Sequence, residues 1–244
     1  MKKYKSRTPS EWSSIWNKSY SKNENLLLYP HEEVIRFTNK YINKRIDISR
    51  FENSFSEKPK IIDFGCGAGR HVLYFAQNHL YPIGIDISDV ALEKAHELLS
   101  YNKISKNEYE LRSVIDFEEN IHKDSIDYAI AHGSLDSMPT SDAITYSNDI
   151  FNLLKNHGLF FVEVINNYFI PKSQKEVGDL EFLVQDEFEN NTIQNYYDEK
   201  KILKVFEKFK IVHSKIIKYQ NTNLGYDTSF DNIALNILIL KKEI

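Results

Sequence analysis

Three of the eight glycines, Gly65, Gly67 and Gly69, stand within five residues of one another. In a chain so sparing with glycine, they mark backbone that no side chain can be allowed to crowd. A short apolar strand, Lys60-Ile61-Ile62-Asp63-Phe64, leads into them behind the breaker Pro59. Residues 70–80 follow as a helix, with Val72, Phe75, Ala76, His79 and Leu80 on one face once His79 is counted with it. A loop between a strand end and a helix start offers free N–H groups, and the missing Cβ atoms let a ligand touch the backbone. A second strand, Tyr81-Pro82-Ile83-Gly84-Ile85-Asp86-Ile87, ends in a carboxylate 21 residues after Gly65. That is where nucleotide-binding βαβ units place the acid that holds a ribose hydroxyl pair. Ser88 then caps a helix with a stripe of Ala91, Leu92, Ala95, Leu98 and Leu99.

The dinucleotide fingerprint G-x-G-x-x-G/A needs a small residue at position 70, where this chain has Arg70. The spacing here is D-x-G-x-G-x-G-R, from Asp63 to Arg70, continued by His71. It resembles motif I of the class I S-adenosylmethionine-dependent methyltransferases of the small-molecule type. S-adenosylmethionine carries no phosphate, so the loop need not close around an anion and an arginine at position 70 is tolerable. The resemblance covers about residues 58–241. It implies a doubly wound α/β fold whose mostly parallel seven-stranded sheet ends in a C-terminal antiparallel hairpin. It also implies cofactor contacts at Asp63, Gly65, Cys66, Gly67, Gly69, Asp86 and Ile87, with adenine near Asp116 and Phe117.

The later segments follow in the family's order: a third strand at residues 109–115, and a fourth at residues 125–131 running into His132-Gly133-Ser134. A helix from about Thr140 is expected to stop at Gly158. A fifth strand spans Leu159–Val164, a polar helix about Asp198–Lys208, and two terminal strands complete the order. Methyl transfer from a sulfonium is an in-line displacement in which the protein mainly positions the partners. His132, at the end of the fourth strand, is implied to sit beside the transferable methyl, as a general base or as pocket lining. Asp136 is the second candidate for a catalytic group, or a cap for the turn that follows. Glu163 and Asn166 flank the end of the fifth strand and are placed to meet substrate. His71 suits support of the cofactor loop, and Cys66 reads as a small filler there. No residue set suggests a metal.

Two pieces lie outside this core. Residues 1–57 form a helical cap in which Trp12, Trp16 and Tyr20 recur every fourth position, three rings on one helical face. Such a stripe packs on the core through Trp12, or closes as a lid with Trp16 and Tyr20 near the cofactor's amino-acid end. Tyr29-Pro30-His31-Glu32 opens another helix, with Pro30 suited to its first turn. Residues 58–244 form the methyltransferase core. Its insertion at about 165–197 is too long for a plain connection and would hang over the ligand-binding edge of the sheet.

Composition narrows the partners. The net charge is −4, which leaves no electrostatic footprint for duplex DNA or bulk RNA. The Pro-Pro signature of amino methyltransferases is missing after the fourth strand, which also argues against a nucleic-acid base as acceptor. One cysteine excludes an internal disulfide, no apolar run approaches the ~18 residues of a membrane span, and no signal peptide is evident. The expectation is a cytoplasmic enzyme that methylates a small acceptor, such as a hydroxyl of a sugar or another metabolite, including those of surface polysaccharides. A nucleotide-dependent oxidoreductase or a non-catalytic cofactor-binding protein are the alternatives.

Overall fold

Apolar runs that alternate with amphipathic helices cannot pair as hairpins, so neighbouring strands must lie parallel with the helices as crossovers. The computed structural model describes residues 7–23, 25–48, 50, 57–116, 121–171, 174–185, 191–221 and 232–244. The cap supplies α1 (Pro9–Ser21) and α2 (Glu32–Phe37). The first half of the core runs β1 (Lys60–Phe64), α3 (Arg70–Gln77), β2 (Tyr81–Asp86), α4 (Asp89–Tyr101) and β3 (Glu110–Ser113). The second half runs β4 (Ile126–His132), α5 (Thr140–Leu153) and β5 (Leu154–Ile165). Three short strands follow, β6 (Lys175–Gly178), β7 (Glu181–Leu183) and β8 (Ile193–Asn195). The chain closes with α6 (Glu199–Val205), β9 (Lys210–Tyr219) and β10 (Ile233–Lys241).

The main sheet has the order β3-β2-β1-β4-β5-β10-β9, parallel from β3 to β5, with β10 antiparallel to both its neighbours. The expected seven-stranded sheet and its antiparallel C-terminal pair are therefore present. The winding reverses between β1 and β4, and the crevice at their C-terminal ends is where such sheets bind ligands.

The period of two along each strand sorts the core into two layers. Ile62, Phe64, Ala129, Ala131, Phe160, Val162, Leu238 and Leu240 pack on one face, together with α5 and α6. Ile61, Ile130, Phe161, Ile237 and Ile239 pack on the other, with Val34 and Phe37 of α2 and Phe75 of α3. Counting two residues on from Ile61, Ile130 and Phe161 gives Asp63, His132 and Glu163. The strands thus bring three ionisable side chains to the α2–α3 face.

Several expected boundaries move. The helix after the glycine loop ends at Gln77, and His79 takes a left-handed φ of 63° instead of extending the apolar face. The third strand is shorter, because Val114–Asp116 turn into a 3-10 helix. Gly158 does not stop α5, which already ends at Leu153. It sits inside an irregular stretch of β5, where a Cβ would come within 2.9 Å of the Lys155 carbonyl and 3.1 Å of that of Asp127. Pro30 lies before the cap of α2, and that cap is His31, whose side chain accepts the Glu33 N–H. Phe117 and residues 186–190 of the insertion lie outside the described residues.

Candidate functional site

The glycine loop is built on positive φ angles: 76° at Gly65, 53° at Gly67 and 84° at Gly69. Each glycine also has a contact that excludes a side chain. A Cβ on Gly65 would run into Ser134, and one on Gly67 into the Tyr20 hydroxyl. One on Gly69 would lie 2.8 Å from Ala95 Cβ on α4. The loop is tied to β2 from both sides. The N–H groups of Gly65 and Cys66 donate to the Ile85 carbonyl at 2.7 and 3.0 Å. Asp86 accepts the Gly67 N–H at 2.8 Å on one oxygen and the Ser88 N–H at 2.9 Å on the other.

The cap completes a cavity of about 330 Å³ over this loop, within the size range of small-molecule sites. Its floor is Gly65, Cys66, Gly67, Asp86 and Ile87, and its roof is Trp12, Trp16 and Tyr20 of α1. The helix is held down by Asn17, whose side-chain oxygen accepts from the Ser88 hydroxyl at 2.7 Å and from the Val90 N–H at 3.3 Å. Trp12 is both core and lining: it is buried, it borders the cavity, and its indole N–H has no partner.

At the β4 end the cavity is walled by Arg70, His71 and His132. Behind them lies a cluster drawn from five elements. His132 and Glu163 are register partners on β4 and β5, with Nε2 and Oε1 at 3.0 Å. His31, at the start of α2, holds its ring 4.4 Å from that of His132, tilted by 56°, and places Nδ1 3.5 Å from Glu163 Oε2. The His31 N–H donates to His71 Nε2 at 3.1 Å, so the proton of neutral His71 lies on Nδ1, 4.0 Å from Asp63. An Arg70 terminal nitrogen is 3.3 Å from His132 Nδ1. Desolvation is the main influence on all of these groups. With Arg70 adding to it, burial holds His132 at about 3, and His71 is also well below the usual imidazole value. Burial lifts Glu163 to about 8, with Asp136 adding to the rise and Arg70 opposing it.

The residues singled out in the sequence divide in space. Gly65, Cys66, Gly67, Asp86, Ile87, His132, Trp16 and Tyr20 all border the cavity. Gly69 faces α4 instead, and Asp63 lies buried behind the loop. Asp116 closes the 3-10 turn after β3, where the neighbouring Val114 lines the wall. Asp136 is buried off the cavity wall. One of its oxygens accepts the Ile165 N–H at 2.7 Å, bracing the end of β5, and the other is buried without a hydrogen-bond partner. Burial raises it to about 6. Cys66 is buried, and its thiol is pushed well up, which suits the filler reading.

Arg70, His31 and Tyr146 were not read as site residues. Arg70 had a signal, an obligate cation beside the loop; His31 and Tyr146 had none, being brought in by α2 and α5. Among the described residues, the insertion lines no part of the cavity. Asn195 N–H and the Tyr197 hydroxyl reach the carbonyls of Asp136 and Leu135, and Glu181 accepts the Thr140 N–H. It therefore buttresses the loop after β4 from behind.

Asp63 makes a pH signature. Burial lifts its carboxyl to about 7, with Arg70 opposing and Asp86 adding to the rise. The folded state then keeps a proton that the unfolded chain releases near 3.8. This contribution to stability is full below that value and is lost as pH rises through about 7. The melting temperature is expected to fall between about pH 5 and pH 7, by at most about 3–5 °C per pH unit from this group. Asp63→Asn should make that decline shallower; an unchanged slope would mean that Asp63 is ionised in the fold.

Comparison with known proteins places this geometry. The family model described as a methyltransferase domain matches residues 55–210, more than half of the chain. An uncharacterized protein of Rickettsia prowazekii is 33% identical over 113 residues, which span 43% of this chain and 42% of that protein. The chain thus matches less than half the length of that relative. Among solved structures, an S-adenosylmethionine-dependent methyltransferase of Methanosarcina mazei is similar with a TM-score of 0.63 at 19% identity, covering 78% of this chain and 95% of that one. The 1,6-didemethyltoxoflavin N1-methyltransferase of Burkholderia thailandensis, solved with its acceptor and S-adenosylhomocysteine, gives 0.67 at 13% identity, covering 99% and 93%. Among the described residues, no helix is long and apolar enough to cross a membrane.

Proposed function

The chain belongs to the methyltransferase-domain family, and from that premise we propose that it moves the methyl group of S-adenosylmethionine to an oxygen of a small acceptor, such as a hydroxyl of a sugar or another metabolite. The cofactor is S-adenosylmethionine. One observation carries the reading: the glycine loop, Asp86 and the α1 aromatics enclose one cavity, and that cavity ends at His132. Gly65 and Gly67 would offer bare backbone to the cofactor, with the Cys66 backbone between them, and Asp86 has lone pairs left for the ribose hydroxyls. Ile87 and Val114 would border the adenosine, and His132 would face the acceptor. The enclosed volume and the net negative charge favour a small molecule over a nucleic acid.

S-adenosylmethionine would supply an activated methyl: the acceptor oxygen would gain the O–C bond as the C–S bond breaks with its pair going to sulfur, and the hydroxyl proton would leave to solvent. The residues of this chain would serve mainly for alignment and for shielding the reacting atoms from water. The Trp12–Tyr20 roof and the dry wall of His71 and His132 serve both.

Calorimetry with S-adenosylmethionine, followed by a screen of hydroxylated metabolites for S-adenosylhomocysteine release, tests this reading. Binding of NADH without binding of S-adenosylmethionine would replace it with hydride chemistry, and binding with no turnover on any acceptor would reduce it to a cofactor-binding protein. Asp86→Ala is expected to weaken S-adenosylmethionine binding at least about tenfold, from the loss of a charge-assisted contact worth about 1.5–3 kcal/mol. The same substitution frees the Gly67 N–H, so Asp86→Asn, which keeps an acceptor there, should lose less. An unchanged dissociation constant in Asp86→Ala would remove Asp86 from the ribose site.

A further inference from the structure

We propose that His31, His132 and Glu163 bind a divalent transition-metal ion, of the zinc or ferrous class, behind the acceptor end of the cavity, where it holds and acidifies the acceptor oxygen. The proposal rests on the methyltransferase reading for its purpose, but its geometry stands alone. One donor atom from each residue can be chosen so that all three lie within 4.8 Å of one another. Glu163 approaches each imidazole with a different oxygen, Oε1 at 3.0 Å from His132 Nε2 and Oε2 at 3.5 Å from His31 Nδ1; the second is the ~3.3–3.5 Å between donors around a tetrahedral metal at about 2.0–2.2 Å, and the first must open by a few tenths of an ångström. Ligation through His31 Nδ1 would replace the Glu33 N–H that it accepts at 3.3 Å.

The second observation is what these atoms lack. His132 Nε2 and Glu163 Oε2 are buried and have no hydrogen-bond partner. At 3.0 Å from Oε1, Nε2 is close enough to bond, but the carboxylate lies off the direction of the ring N–H. A buried donor and acceptor left in this way are costly unless something else satisfies them.

Charge is compatible with an added cation. Asp136 and Glu33 act on Glu163, and Asp63 acts on Arg70, whereas the cations among them are Arg70, Lys215 and Arg36, so the carboxyls outnumber the cations when all are ionised. Two imidazoles and one carboxylate suit zinc or ferrous iron rather than magnesium or calcium, and three protein ligands leave a position open. Arg70 works against a cation here, because metal on Nε2 leaves the proton on Nδ1. The guanidinium must then turn from that nitrogen into the cavity it lines.

The open position gives the site a use. A hydroxyl bound to a divalent ion loses its proton to water more readily. The resulting oxygen attacks the methyl, and the C–S electron pair leaves on sulfur, so no further reactant is needed.

The test uses full-length protein dialysed against chelator. Calorimetry with ZnCl₂ is expected to show one sub-micromolar equivalent, with a rise in melting temperature. His31→Ala and Glu163→Gln should each weaken zinc at least about a hundredfold, since removing a ligand exceeds the 10–100-fold typical of supporting groups. His96→Ala, whose ring pairs with Tyr109 outside the cluster, should leave zinc binding unchanged. If a variant fails to fold, the native protein still decides: Co²⁺ should give the intense visible absorption of a four-coordinate site. Weak octahedral absorption, or zinc binding that survives His31→Ala and Glu163→Gln, would overturn the proposal. S-adenosylmethionine affinity is measured on the same metal-free samples. Intact cofactor binding without zinc binding ends the metal site alone, and lost cofactor binding on folded protein ends the methyltransferase reading.

Discussion

Gly67→Val is expected to abolish S-adenosylmethionine binding. Gly67 has a φ of 53°, and a Cβ there would run into the Tyr20 hydroxyl at the roof of the cavity. The left-handed backbone costs a β-branched residue about 1–2 kcal/mol, and the overpacking adds about 1–3 kcal/mol. The loop relieves both by moving, and its N–H bond to Asp86 moves with it. A combined cost of about 3 kcal/mol is about a hundredfold in affinity, enough to remove a calorimetric signal at ordinary concentrations. Gly67→Ala should show the same effect in weaker form. A folded Gly67→Val protein that binds the cofactor normally would mean that the loop does not cradle it. Gly69→Val is a useful contrast: its collision is with Ala95 on α4, so it should lower the melting temperature as well as affinity.

His132→Ala should lower turnover by about 10²–10⁴-fold, with S-adenosylmethionine affinity nearly unchanged. His132 ends β4 at the cavity wall and touches Glu163, Arg70 and the His31 ring. It therefore organises the acceptor side, whereas the glycine loop and Asp86 organise the cofactor side. The measurement is S-adenosylhomocysteine release with the acceptor found by the screen, compared with cofactor affinity and melting temperature of the same variant. Turnover close to native with a raised Michaelis constant would make His132 a lining residue. Loss of the fold would make it a structural one.

Much of the cofactor half was legible because its parts are local. The strand Lys60–Phe64, the three glycines, the helix after them and Asp86 at the end of the next strand lie within one βαβ unit, and their spacing alone constrains their geometry. The misplaced boundaries have equally local causes. His79 was counted with a helix because its position fits the period, but the chain turns left-handed there. Gly158 looked like a helix stop because glycine usually serves as one, yet it is needed where the Asp127 and Lys155 carbonyls crowd an irregular strand.

The acceptor half depended on pairings that no local pattern encodes. Sequence reading found His132 and noted Glu163, but did not join them, because 31 residues separate them and only the β4–β5 register makes them neighbours. His31 was read as part of a helix start; α2 packs across β1, β4 and β5, so its first residue arrives over His132. Asp136 reads in the sequence as a second catalytic candidate or a turn cap, and only the fold shows that one of its oxygens accepts the Ile165 N–H. By itself, then, the sequence determined the family, the sheet and the cofactor loop, since periodicity and glycine spacing act over a few residues. The tertiary structure decided which ionisable groups share one dry pocket, because that follows from strand register and helix docking across distant segments of the chain.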